Sequence, residues 1–134
     1  MSEPRRLIAY LLTALLLISC QSPTLLFPGS SLQGPVAVTG SFEFAQQFSI
    51  LQLEVNPSAP YSVNLRVTVI DGELYVDAAK KRRWYRYLAQ DKQVRVRLGG
   101  KIYPAVAVQI TRPDIASSFI KGRAIFRIDP VSVP

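Results

Sequence analysis

Cations dominate the residues of this chain that could do chemistry. Nine of the sixteen lysines and arginines fall between Lys80 and Lys101, and the one acid in that stretch is Asp91. Lys80, Lys81, Arg82 and Arg83 are consecutive, and Trp84 and Tyr85 follow directly. Arg95 and Arg97 stand two apart in "QVRVRL", so on a strand their side chains share one face. Guanidinium and ammonium groups so placed hold phosphate or carboxylate through charge-assisted hydrogen bonds, and a neighbouring indole or phenol adds a surface for stacking. Lys80, Lys81, Arg82, Arg83, Trp84, Arg95 and Arg97 are therefore the candidate residues for an anion or a phosphate-bearing cofactor. The same residues fit a plainer arrangement too. Arginine stems would cover a solvated barrel wall, with Trp84 a core residue.

Composition removes much of the remaining chemistry. The chain of 134 residues has no histidine and one cysteine. His/Cys zinc sites and the Ser-His-Asp and Cys-His catalytic arrangements are excluded, as is a disulfide within one chain. Asp71, Glu73 and Asp77 lack the ligand spacing of a calcium loop. Glu43 and Glu54 fall on separate expected strands and form no acid/base pair. No glycine loop of the Walker or Rossmann type occurs. No metal site is expected, no catalytic residue can be assigned, and a binding or structural module is favoured over an enzyme.

The amino terminus gives an address. Arg5 and Arg6 precede an uncharged run from Leu7 to Ile18. Twelve residues of helix rise about 18 Å, short of the ~30 Å hydrocarbon core, so the run suits a signal peptide and not a permanent span. It ends in "LISC", Leu17 to Cys20, which resembles the bacterial lipobox. That resemblance implies a diacylglyceryl group on the Cys20 thiol, cleavage before Cys20, and a protein held on a bilayer by acyl chains (palmitate among them). Gln21, not Asp, follows the cysteine, which favours sorting to the outer membrane, facing the periplasm, in a Gram-negative cell. The expected division is a signal peptide over 1–19, a lipidated Cys20 with a Ser/Pro/Gly-rich tether over 20–35, and one domain over 36–134.

Within the domain the pattern is mostly of period two. "VAVTGSFEF" and "FSILQLEV" read as strands, and "YSVNLRVTVI", Tyr61 to Ile70, is the clearest. Asp71-Gly72 predicts a hairpin that pairs this strand with "ELYVDAA". Lys80 to Asp91 predicts a short helix with Trp84, Tyr87 and Leu88 on one face. "QVRVRL", a Gly99-Gly100 turn and "KIYPAVAVQITR" predict a second hairpin, with Pro104 at an edge or bulge. A short helix starts at Pro113-Asp114, and "RAIFRID" is a last strand. The fold class is mainly β (α+β): a small antiparallel barrel with one or two short helices packed outside, after the signal helix.

"DGELYVDAAKKRRWYRYLAQDKQVRVRLGGKIYPAVAVQITR" resembles part of the split β-barrel proteins of the pyridoxamine phosphate oxidase-like group, related to flavin- and deazaflavin-dependent reductases. The shared order is a strand ending in small residues, an aromatic pair (Trp84-Tyr85), alternating valines, a glycine turn and a Tyr-Pro strand start. Tyr87 stands where the group has Asn, and Lys92 where it has Pro. The resemblance, over about residues 61–112, implies a split barrel, a dimer groove, and FMN or a deazaflavin as cofactor. Deazaflavin-binding members carry a Gly-Arg-x-Ser-Gly type stretch before the strand that matches Tyr61–Ile70. Here "EVNPSAP" offers neither glycine nor cation, so the expectation is no cofactor, with a reductase-like flavin holder as the alternative. The expected partners are the membrane, through the anchor, and an anionic envelope component or a protein. Nucleic acid is not expected for an exported chain.

Overall fold

Seven antiparallel strands form one sheet in the computed structural model, which describes residues 29–131. The expected signal segment, Cys20 and the tether up to residue 28 lie outside the described residues. The strands are β1 (Ile50–Val55), β2 (Tyr61–Arg66), β3 (Thr68–Ile70), β4 (Glu73–Ala78), β5 (Gln93–Leu98), β6 (Lys101–Ile110) and β7 (Ala124–Pro130). Helix α1 spans Arg83–Gln90, helix α2 spans Pro113–Ala116, and a 3-10 turn spans Glu43–Gln47. In space the order is β2-β1-β5-β6-β7-β4-β3.

That order closes the sheet. β2 and β3 sit at its two edges, yet only Val67 separates them in the chain. The sheet must therefore curl until its edges meet at one residue. The expected single strand Tyr61–Ile70 is this bent piece. Its first half pairs with β1, from Val55↔Tyr61 to Ile50↔Arg66, and its last three residues pair with β4 across the Asp71-Gly72 turn. Asp71 and Gly72 both have positive φ (51° and 79°), as a twist-matched two-residue hairpin turn requires.

Alternation fills the interior. Leu51, Leu53 and Val55 of β1, Val94, Val96 and Leu98 of β5, Leu74 and Val76 of β4, and Phe126 and Ile128 of β7 meet in one core. Each such side chain removed from water contributes roughly 1.5–3 kcal/mol. Helix α1 packs on the barrel by one face, as its spacing requires, and its Trp84 and Leu88 enter this same core. The reason is room: Ala45, Ala78, Ala105, Ala107 and Ala124 are the small members of that core, and they leave space for the indole and for Phe126. Helix α2 does lie outside, with Ile115 against Tyr75 and Ile125.

Two further expectations are corrected. "VAVTGSFEF" is not a strand. Val36 makes one isolated parallel bridge to Ile102, and the chain then turns, because Thr39 Oγ1 donates to Ser41 O (2.7 Å) and Ser41 Oγ accepts from Glu43 N (3.1 Å). These local bonds replace a ladder. Pro104 lies on interior strand β6 and not at an edge. The β6–β7 ladder ends at it: Val131 N donates to Pro104 O (3.2 Å), and the return bond of that pair is the one a proline cannot donate.

Candidate functional site

The barrel is split between β2 and β4. β3 pairs with β4 only through Thr68–Ile70, so on that side Tyr61–Leu65 of β2 have no partner strand. The start of α1 fills the gap and leaves a groove of about 670 Å³. Tyr61, Val63 and Leu65 form one wall, and Lys81, Arg82, Arg83, Trp84 and Arg86 form the other. Asp77 and Arg123 lie at its end, bonded to each other at 2.9 Å.

Charge in this groove is unbalanced. Lys80, Lys81, Arg82, Arg83 and Arg86 are exposed, and among the described residues none of them forms an ion pair. The backbone adds to the field. Arg82 occupies the N-cap position of α1 in an extended conformation, makes no side-chain capping bond, and is followed by no acid in the first turn. Helix N-termini favour a capping oxygen and negative charge, whereas this one is ringed by cations. A bound anion would satisfy the backbone N–H groups and the side chains together. Arg83 lies over the Tyr61 ring at 5.8 Å from its centroid, and Tyr87 packs on the same ring at 5.7 Å. Trp84 is 5% exposed, so it contributes to the wall from the core and offers no open stacking face.

Arg95 and Arg97 are not part of this groove. Both project from the outer face of β5, where an arm of residues 29–37 crosses the sheet. Arg95 Nε and Nη2 donate to Glu54 Oε1 and Oε2 (2.7 and 2.9 Å), and Nη2 also donates to Leu32 O (3.1 Å). Glu54 Oε2 further accepts from Leu32 N (2.7 Å) and Ser31 Oγ (3.2 Å). Arg97 donates to Gln52 Oε1 (2.9 Å) and to Gln33 O. Gly29 N donates to Ser62 O (3.0 Å), and Ile102 exchanges bonds with Pro35 and Ala37. The arm is thus clipped from β6 across β5 and β1 to β2. Burial pushes Glu54 up, but the Arg95 guanidinium, the Leu32 amide and Ser31 outweigh it and hold the carboxyl below its ordinary value. The same pair holds Arg95 above its ordinary value, with Glu54 the leading cause.

The structure therefore brings Lys81, Arg82, Arg83 and Trp84 together, keeps Lys80 exposed just before them, and places Arg95 and Arg97 in the clip. Sequence reasoning missed Tyr61, Asp77 and Arg123 as groove residues, and Glu54 as the anchor of the arm. Glu54 stands directly across from Arg95 in the β1–β5 register. That pairing joins strands far apart in the chain and leaves no local signal. A second hollow, of about 660 Å³, is mainly apolar, lined by Val55, Pro57, Pro60, Val94, Val106 and Val131 beside the paired Glu54 and Arg95. Among the described residues no group of three acidic, Cys or His side chains is placed to hold a metal.

No family model and no curated protein sequence matches this chain. Solved structures do match. A conserved hypothetical protein from Mycobacterium tuberculosis superposes with a TM-score of 0.56 at 16% identity, over 75% of this chain and 87% of that one. A candidate pyridoxamine 5′-phosphate oxidase from Listeria innocua gives 0.53 at 13% identity, over 66% and 88%. HutZ, the heme storage protein from Vibrio cholerae, gives 0.51 at 17% identity, over 68% and 87%. The likeness is one of fold: the chain is a small split barrel, as these proteins are.

Proposed function

We propose that this chain is a lipid-anchored domain of the bacterial cell envelope that acts as a binding module, with an anionic partner held in the groove between β2, β4 and α1. The observation that carries the binding reading is the group of exposed cations over Lys80–Arg86, gathered at an uncapped helix start and without an ion pair among the described residues. The anchor rests on "LISC" and the run before it. The one carboxylate among the described groove residues, Asp77, is held by Arg123. Replacing Cys20 with Ser is expected to block acylation and leave an uncleaved precursor. A mature-length product from that variant would overturn the anchor.

A second reading, a reductase-like holder of FMN or a deazaflavin, is favoured by the fold shared with the candidate pyridoxamine 5′-phosphate oxidase from Listeria innocua. Lys80–Arg83 suit the phosphate end of such a cofactor by charge. Arg95 and Arg97 are already engaged by the arm, and the β1–β2 connection carries neither glycine nor cation for a close backbone approach. Absorbance of the purified chain and its titration with FMN separate the readings. Tight binding that charge reversal at Arg82 and Arg83 abolishes would establish the second reading.

A further inference from the structure

The arm leaves the barrel beside the basic groove, and one side chain joins the two. Gly29, the first described residue, is bonded to Ser62 and lies against the Tyr61 ring: a Cβ on Gly29 would sit 3.3 Å from Tyr61 Cε2. The same ring carries the Arg83 guanidinium at 5.8 Å from its centroid and lines the groove. The arm therefore begins at the sheet edge that faces the unpaired cations across the groove.

We infer that this basic rim docks on the anionic headgroups of the bilayer that holds the anchor, so that the arm sets the orientation of the barrel. The inference rests on the lipid-anchor reading. Residues 21–28 are the only chain between Cys20 and Gly29. The nine Cα–Cα steps from Cys20 to Gly29 reach at most about 30 Å when fully extended. A domain of this size has a radius of gyration near ~13 Å, so the tether is no longer than the barrel is wide. Without the bonds from Glu54, Arg95, Arg97 and Ser62 to Gly29, Ser31, Leu32 and Gln33, the free chain would run towards Val36 and the barrel could turn any face to the surface. With them, the face presented is the one around Tyr61. There Lys80, Lys81, Arg82, Arg83 and Arg86 come within the ~8 Å screening length of a negatively charged leaflet. The rim is open and has no lone fixed counter-charge, as a surface of many headgroups requires.

The full acylated chain is reconstituted in two vesicle types, one of pure phosphatidylcholine and one with a third of the lipid as phosphatidylglycerol. Lysines are labelled with an amine-reactive ester and read by mass spectrometry. Lys80 and Lys81 are expected to label severalfold less on the anionic vesicles. Lys101, the first residue of β6 beside the far end of the arm, is expected to label equally on both. High salt, or the double variant Arg82→Glu and Arg83→Glu, should remove the difference. Equal labelling of Lys80 and Lys81 on both vesicles, with the acyl group present on Cys20 by mass, overturns the inference and leaves the anchor standing. A Cys20 found unmodified removes the anchor itself. Protection by free inorganic phosphate or FMN on neutral vesicles overturns the inference in favour of a soluble anion.

Discussion

Glu54 is 5% exposed, and its carboxylate accepts from Arg95, Leu32 and Ser31. A buried acid without partners would be driven neutral, so this one is charged because the arm and Arg95 surround it. Its folded value lies below the ordinary 4.5. A depressed carboxyl gives stability that is complete above the unfolded value and disappears as pH falls through the folded one. The clip should therefore hold at neutral pH and loosen as pH falls below about 4.5. Deuterium exchange at the Leu32 amide, read by peptic mass spectrometry, should rise in that window ahead of the core strands. In Glu54→Gln the amide should be less protected at every pH and should show no acid transition. That variant keeps one acceptor, and Arg95 keeps about a third of its side chain in water, so the expected loss of stability is modest, about 1–2 kcal/mol. An unchanged acid profile in Glu54→Gln would assign the release to another group. Nothing near Glu54 in the chain signals this role; it arises from the β1–β5 register.

At the scale of elements, the sequence was most readable where one face is wet. β5 runs over Gln93–Leu98 as its alternation requires, and the Asp71-Gly72 and Gly99-Gly100 turns fall where their residues demand. At Gly99, with φ of +58°, an added Cβ would meet the Phe48 ring at 2.7 Å, so a larger residue there must strain the backbone and displace that ring. Legibility failed at the ends of elements. The basic run suggests a helix from Lys80, but α1 starts at Arg83, because Arg82 N closes a turn on Ala79 O and no capping side chain extends the helix earlier. Arg82 violates the local rule for a helix start, a violation expected where binding is kept at the expense of stability. Arg82→Asp would supply the missing cap and remove one of the clustered cations. Stability by urea denaturation should rise by about 1 kcal/mol, while affinity for an anionic partner falls. Should stability fall instead, the N-cap geometry at Arg82 would not be the source of frustration.

For the whole molecule, the barrel was readable and the strand that closes it was not. Period-two segments and hairpin turns are local, so an antiparallel barrel follows from them. That Tyr61–Ile70 serves two edges does not follow, because the alternation runs through Val67 without interruption. The reason is physical: a strand that changes partners keeps its facing pattern, and only the sheet order shows the change. Closure also determines how the barrel comes apart. β2 cannot leave β1 without pulling at β3, and Val67 N donates to Ser49 O (3.0 Å) at the pivot. Trp84, the one tryptophan, reports on the core that α1 shares with the sheet. Its fluorescence and the β-sheet circular dichroism should therefore change in one coincident urea transition. Val67→Pro removes the pivot donor from a strand that must bend there, at an expected loss of about 2 kcal/mol. The midpoint should fall with both probes still coincident and with an unchanged slope. Two separated transitions, in the parent chain or in Val67→Pro, would mean that the halves of the sheet melt independently and that the shared strand does not couple them.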